Sequence, residues 1–158
     1  MIRKANESDI QIIYELSKKT KAYMLKSGLD QWIGDYPKYD SFYQDYLKSG
    51  LYVYVKEDII LASISILEEN DPPYLEIKWD KNHSLVIHRL LVDPDHQKHG
   101  IGMEMFNKAI DLTNSGYLSL KVDTHPDNHK MQGLILKMGF QYKGYIESIN
   151  RLAYELIV

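Results

Sequence analysis

Cysteine is absent from this 158-residue sequence, and with it go disulfide frameworks, thiol nucleophiles and every zinc site that needs a thiolate. An excess of positive charge is missing too. Nineteen Lys and Arg stand against 22 Asp and Glu, a formal net charge of −3, so non-specific attraction to phosphate backbones or anionic membranes has little support. Neither a nucleic acid nor a membrane is expected as a partner. The longest apolar run, residues 59–67, falls well short of a membrane span. The opening residues Met1-Ile2-Arg3-Lys4-Ala5-Asn6-Glu7 lack the apolar stretch of a signal peptide, so a cytoplasmic protein is the expectation. No internal repeat, linker or low-complexity tract interrupts the chain.

The residues that are present suit one globular domain over 1–158. Hydrophobic residues are 44% and charged residues 26%, away from disordered or collagenous compositions. By area scaling a chain of this mass exposes roughly 8,000 Å² and buries about two thirds of its unfolded surface, enough for a core without staples.

Local patterns order the elements. Residues 2–5 read as a short strand; Asn6 then stands three residues before Asp9 like a capping box, opening a helix that carries Ile10, Ile13 and Leu16 on one face. Residues 27–37 mix turn formers with aromatics, and 40–48 read as a helix ending at Ser49-Gly50. Residues 51–56 and 59–67, separated by Glu57-Asp58, form a predicted hairpin, and 74–79 after Pro72-Pro73 a further strand. Residues 84–92 read as a strand, 100–114 as a helix and 118–122 as another strand. Met131, Leu134, Ile135 and Met138 follow helical spacing, with Gly139 placed for a left-handed cap. Strands over 141–146 and 151–157 complete an α/β domain of the α+β type: a mixed, mostly antiparallel sheet of six to seven strands flanked by about four helices.

The chemistry concentrates between the strand 84–92 and the helix that follows it. In Gln97-Lys98-His99-Gly100-Ile101-Gly102 two glycines one residue apart let the backbone approach a ligand at a helix N-terminus. Outward amides and the helix dipole there suit a pyrophosphate without many basic side chains; a plain tight turn is the alternative. No Gly-Lys-Ser or Gly-Lys-Thr follows, which excludes a P-loop, and Met105 at the third glycine position excludes a dinucleotide fingerprint.

Val92, Pro94 and the run from Gln97 to Gly102 resemble the acetyl-coenzyme A loop of the GCN5-related N-acetyltransferase family, whose signature is Gln or Arg, two residues, Gly, one residue, Gly or Ala. Asn128, Met131, Gly139 and Phe140 resemble that family's next segment, where an Asn begins a helix that ends in Gly-Phe. The resemblance implies that amides of Gln97, Lys98, His99, Gly100, Ile101, Gly102 and Met103 cradle the pyrophosphate of acetyl-CoA. It also implies that the backbone of Leu90, Leu91 and Val92 lies along pantetheine, entering where two strands splay apart, and that Asn128 and Met131 contact the same cosubstrate. The amine then attacks the thioester directly and coenzyme A thiolate leaves, which needs no enzyme nucleophile and accords with the absence of cysteine.

The pattern departs from the family at Ile135, where many members carry a tyrosine that protonates the leaving thiolate. Ile135 lies on the apolar stripe and reads as core; Tyr142 and Tyr145 are the substitute acids, with water as the alternative. For the base, His88 sits on the strand before the loop, where some arylalkylamine acetylating relatives use histidines, although the companion position is Val86. Imidazole is matched to neutral pH. Trp32 and Tyr36 are candidate walls of an acceptor site, with core packing as the alternative; Glu76 and Asp123 are candidate anchors for an ammonium, Asp123 also reading as a turn residue. His125 and His129 are four apart, but Pro126 argues against a helix between them and no HExxH pattern exists, so no metal is expected.

The expected function is therefore acetyl transfer from acetyl-CoA to a primary amine of a small molecule. A peptide or protein amino terminus as acceptor, and a non-catalytic acyl-CoA sensor, are the alternatives. A monomer or homodimer is expected.

Overall fold

The computed structural model describes residues 1–68 and 71–158. Its seven strands are β1 (Ile2–Lys4), β2 (Leu51–Lys56), β3 (Ile59–Leu67), β4 (Ser84–Val92), β5 (Ser119–Thr124), β6 (Gln141–Ile146) and β7 (Arg151–Ile157). Four α-helices accompany them: α1 (Ile10–Lys26), α2 (Tyr39–Leu47), α3 (Ile101–Asn114) and α4 (His129–Lys137). The strands are hydrogen-bonded in the order β1-β2-β3-β4-β5-β7-β6, with β4 and β5 parallel and the β1–β2, β2–β3, β5–β7 and β6–β7 pairs antiparallel. This is the mixed, mostly antiparallel sheet expected from the sequence. Among the described residues no helix is long and apolar enough to cross a membrane.

By its packing the chain divides into two compact units, Met1–Leu67 with His88–Met105, and Glu68–Ile87 with Phe106–Val158. In the first, the Asn6 N–H donates to the Asp9 carboxylate at 2.7 Å, the start signal read from the sequence. Arg3 holds the same carboxylate at 2.7 Å. Helix α1 buries Ile10, Ile13 and Leu16, the three positions its spacing marked, against Phe42 of α2 and Val53 of β2. The β2–β3 hairpin closes through Glu57 and Asp58, both left-handed at φ 51° and 62°, and pairs Lys56 with Ile59. Two successive left-handed residues give the turn whose twist matches that of the flanking strands.

In the second unit β7 is the central partner, pairing with β5 from Ser119↔Ile157 to Thr124↔Leu152 and with β6 from Gln141↔Glu155 to Ile146↔Arg151. Phe106 meets Phe140 edge to face at 5.6 Å, and Gly139 ends α4 at φ 94°, as its position after the helical stripe required. The expected strand at 74–79 is absent. Pro72 and Pro73 instead open a 3-10 turn over Pro72–Glu76: their fixed φ suits a first turn, and they bring no N–H to a ladder. The Tyr74 N–H donates to the Asp71 carbonyl and that of Ile77 to the Tyr74 carbonyl, so both donors are used locally. Tyr74 then inserts into a cluster with Ile77, Val86, Ile146 and Ala153, burial that a surface strand would not have provided.

Candidate functional site

Strand β4 places two polar residues, His88 and Arg89, inside an otherwise apolar run. Arg89 adopts φ 49°, a left-handed conformation that costs a non-glycine residue roughly 1–2 kcal/mol. Its side chain shows what compensates. Nε donates to Asp45 Oδ2 at 2.7 Å and Nη2 to Asp45 Oδ1 at 2.6 Å, while Nη1 donates to the Tyr36 hydroxyl at 3.0 Å. Asp45, on α2, is 1% exposed and takes a further hydrogen bond of 2.5 Å from Ser65 Oγ. A two-pronged guanidinium–carboxylate pair with a further donor on the carboxylate is the geometry that tolerates burial. Burial works against the charged guanidinium, but the hydrogen bond and charge of Asp45, together with Tyr36, outweigh it and hold Arg89 above its ordinary value.

Beyond β4 the chain is tied down before it turns into α3. The Asp93 N–H donates to the Leu61 carbonyl at 2.7 Å. Lys19 bridges Asp93 and Asp95 at 2.8 and 2.7 Å. Burial raises the Asp93 carboxyl, but Lys19 and the Asp95 N–H more than reverse this, leaving it below the usual carboxylate range. Lys98 at φ 69° and Gly100 at φ 77° are both left-handed. The backbone thereby reverses into the helix, where the Glu104 N–H meets the Gly100 carbonyl at 3.1 Å. The N–H groups of Ile101, Gly102 and Met103 precede that first helical bond, so no carbonyl of the helix satisfies them. Buried Ile101 anchors the turn, while Lys98, His99 and Gly100 are exposed and Gln97, Gly102 and Met103 half-buried. A Cβ on Gly100 would meet nothing within 4 Å, so the glycine serves its backbone angle and leaves the space beside it open.

The first unit thus carries His88, Leu90, Leu91 and Val92 on one strand, the residues 97–103 directly after it, and Trp32 and Tyr36. Leu91 is buried in the core while Leu90 and Val92 are half-buried, so strand backbone, not the Leu91 side chain, is what remains available there. Trp32 packs in the same core at 5% exposure, the alternative that its aromatic spacing left open. Tyr36 is exposed; Lys21 ties its loop to α1, donating to the Gly34 carbonyl and, at 3.0 Å, to the Tyr36 carbonyl.

The second unit carries Glu76, Asp123, Asn128, Met131 and Tyr142. Asn128 caps α4, its Oδ1 accepting from the Met131 N–H at 3.1 Å; Met131 is half-buried. Asp123 accepts from the Tyr74 hydroxyl at 2.5 Å and faces Arg151 at 3.7 Å. Glu76 is engaged by the Ser148 hydroxyl and by its N–H at 3.3 Å. Tyr142 is exposed on β6, its ring edge-on to Tyr154 at 5.6 Å. Ile135 is wholly buried, the core residue its stripe indicated. Strand β4 pairs in parallel with β5 from Ser84↔Ser119 to Val86↔Lys121. His125 is occupied in its own turn, Nδ1 accepting from the Asp127 N–H at 3.0 Å. Among the described residues no group of three His, Asp or Glu side chains gathers that could hold a metal ion.

Three residues with specific roles escaped the sequence reading: Arg89, Asp45 and Tyr74. Arg89 left a trace as a charge breaking an apolar strand. Asp45 left another, three positions after Phe42 on the buried face of α2. The strand-like pattern over 74–79 hides the inward direction of Tyr74.

Known proteins share this architecture. The model of the acetyltransferase (GNAT) family matches residues 13–140. A GNAT-family acetyltransferase from Streptococcus agalactiae is 26% identical, with a TM-score of 0.88 over 100% of this chain and 95% of its own. One from Listeria monocytogenes, 17% identical, aligns at 0.83 over 100% and 94%. The PaiA N-acetyltransferase from Thermoplasma acidophilum, solved in complex with coenzyme A and 15% identical, aligns at 0.77 over 100% and 98%; at these last two identities the likeness is one of fold. Comparison with curated protein sequences returns no match. The family model runs from within α1 to the Gly-Phe that closes α4, and so takes in the glycine loop and the asparagine-capped helix on which the resemblance rested; the chain belongs to the acetyltransferase (GNAT) family and is an acetyl-CoA-dependent N-acetyltransferase.

Proposed function

We propose that residues 1–158 act as one N-acetyltransferase domain that moves the acetyl group of acetyl-CoA to the primary amine of a small molecule. The observation that carries the reading is the turn at Lys98 and Gly100, both left-handed, delivering the amides of Ile101, Gly102 and Met103 to the head of α3. Amides from Gln97 to Met103 hold the pyrophosphate there, assisted by the positive end of the helix dipole. Pantetheine lies along the backbone of Leu90, Leu91 and Val92. Asn128 and Met131, at the head of α4, are assigned to the same cosubstrate on the family pattern alone.

Transfer proceeds by direct attack. The amine nitrogen bonds to the thioester carbonyl carbon, a β4 amide stabilises the oxyanion, and the C–S bond then breaks to release coenzyme A thiolate. His88 takes the proton that the attacking nitrogen must lose. The exposed hydroxyl of Tyr142 suits the return of a proton to the thiolate, a role that buried Ile135 cannot fill. Tyr36 supports a small amine as acceptor: an exposed aromatic ring supplies apolar contact with a polar tip. Asp123 and Glu76 are assigned to the ammonium on their negative charge alone.

A panel of small primary amines and of peptides with free amino termini, assayed for released thiol with saturating acetyl-CoA, tests the acceptor class. Turnover with the small amines is expected; turnover confined to the peptides would replace this reading with amino-terminal acetylation.

A further inference from the structure

Arg89 joins three segments far apart in sequence: β4 itself, α2 through Asp45, and the 27–38 loop through Tyr36. Pairing with Asp45 uses Nε and Nη2 and neutralises the buried charge. The contact to Tyr36 is additional, made by Nη1, and its direction is informative. A guanidinium only donates, so the Tyr36 oxygen accepts from Arg89 and its hydroxyl hydrogen is directed elsewhere. Among the described residues no acceptor takes that hydrogen. Tyr36 is 40% exposed, so its hydroxyl is open to donate outward from a ring whose oxygen accepts from a cation on β4.

We propose that Arg89 is a positioning residue that fixes Tyr36 as a hydrogen-bond donor to the acceptor substrate, and that the preferred acceptor is a primary amine carrying an oxygen acceptor near its amino group. The inference rests on the small-amine reading above and deepens it. Arg89 lies between His88, the base, and Leu90, where the thioester is delivered. A residue locked to it therefore registers the acceptor against the reacting carbonyl, the positioning that makes an intramolecular-like attack fast. The strained backbone at Arg89 fits this role: the side chain that compensates the strain also sets the loop. Lysine cannot replace the arrangement, because it has a single nitrogen and no planar fork to serve Asp45 and Tyr36 together.

The test compares 2-phenylethylamine with 2-methoxy-2-phenylethylamine, which adds an ether oxygen on the carbon next to the amino-bearing one without making a peptide amino terminus, in the full-length protein at saturating acetyl-CoA. An exposed hydrogen bond of ordinary strength gives a preference in kcat/KM of about three- to tenfold for the methoxy amine. Tyr36→Phe should abolish that preference with the affinity for acetyl-CoA unchanged. In an Arg89→Gln background, Tyr36→Phe should change the preference no further. If Arg89→Gln does not fold, Arg89→Lys serves, with the intact acetyl-CoA affinity as the check on folding; a purely structural role would lower both substrates in parallel and leave their ratio alone. Acetyl-CoA binding with equal use of the two amines, with neither used, or with a preference that survives Tyr36→Phe, would overturn the inference alone. Failure of the wild-type protein to bind acetyl-CoA would overturn the functional reading beneath it.

Discussion

The Tyr74 hydroxyl donates a 2.5 Å hydrogen bond to Asp123 Oδ2 from a ring that is 1% exposed. The proline-led turn at Pro72–Glu76 is what drives that ring inward, so an element of backbone punctuation sets the partner of a carboxylate near the end of β5. Burial and then the Asp123 charge hold the Tyr74 phenol well above its ordinary value. Its neutral form therefore contributes stability that is fully present below the unfolded value of about 10 and is lost as pH rises beyond it. Tyr74→Phe should lower unfolding free energy at neutral pH by about 1–3 kcal/mol, since Asp123 loses a donor. It should also soften the decline above about pH 10. Denaturant titration at pH 7 and pH 10.5 reads both; an unchanged midpoint at pH 7 would count against the bond.

Lys121 offers a second pH signature with the opposite sign. Its side chain is buried, with Nζ 4.8 Å from the centre of the Trp79 ring. Burial lowers its ordinary value, although the Glu155 charge pulls the other way. Between the lowered value and the unfolded one of about 10.4 the unfolded chain binds more protons, so stability rises with pH there. Lys121→Met should flatten that rise and be at least as stable at neutral pH, because Glu155 keeps Ser119 Oγ at 2.6 Å and the Asp80 N–H at 2.8 Å as partners. Thermal melts from pH 7 to 9.5 check it, and a variant whose stability still climbed with pH would contradict the assignment.

Gly100→Ala tests the glycine loop through its backbone. With nothing within 4 Å of the added Cβ, the substitution acts only by the left-handed conformation, at roughly 1–2 kcal/mol. Acetyl-CoA affinity should weaken about tenfold. Calorimetry on the wild type and the variant measures this, and equal affinities would mean the turn has no part in holding pyrophosphate.

His88→Ala should lower kcat by about two to four orders of magnitude, the range for a positioned general base, while acetyl-CoA affinity stays near the wild-type value. Equal turnover at every pH would remove His88 from the mechanism.

The parts of this molecule written in backbone chemistry were legible from the sequence. Glu57-Asp58 announced the β2–β3 hairpin and Gly139 the end of α4, because turn and cap geometry depends on residues adjacent in the chain. The loop 97–102 belongs to the same class: its signal is glycine at two fixed positions. What depends on distant partners was hidden. Arg89 and Asp45 are 44 positions apart, and neither a left-handed residue inside β4 nor the Tyr36 contact is encoded by any local pattern. Tyr74 fails for a related reason, since alternation over 74–79 resembles a strand until the two prolines are given more weight than the residues after them. Trp32 shows the limit for single aromatics: only packing decided between wall and core.

The most direct measurement is a calorimetric titration of the purified protein with acetyl-CoA, followed by addition of primary amines and detection of free thiol. Saturable binding that Gly100→Ala weakens, with stoichiometric thiol release once a suitable amine is added, is the expected result. Absence of binding would contradict it, because the turn at Lys98 and Gly100 and the open amides of α3 would then hold no coenzyme.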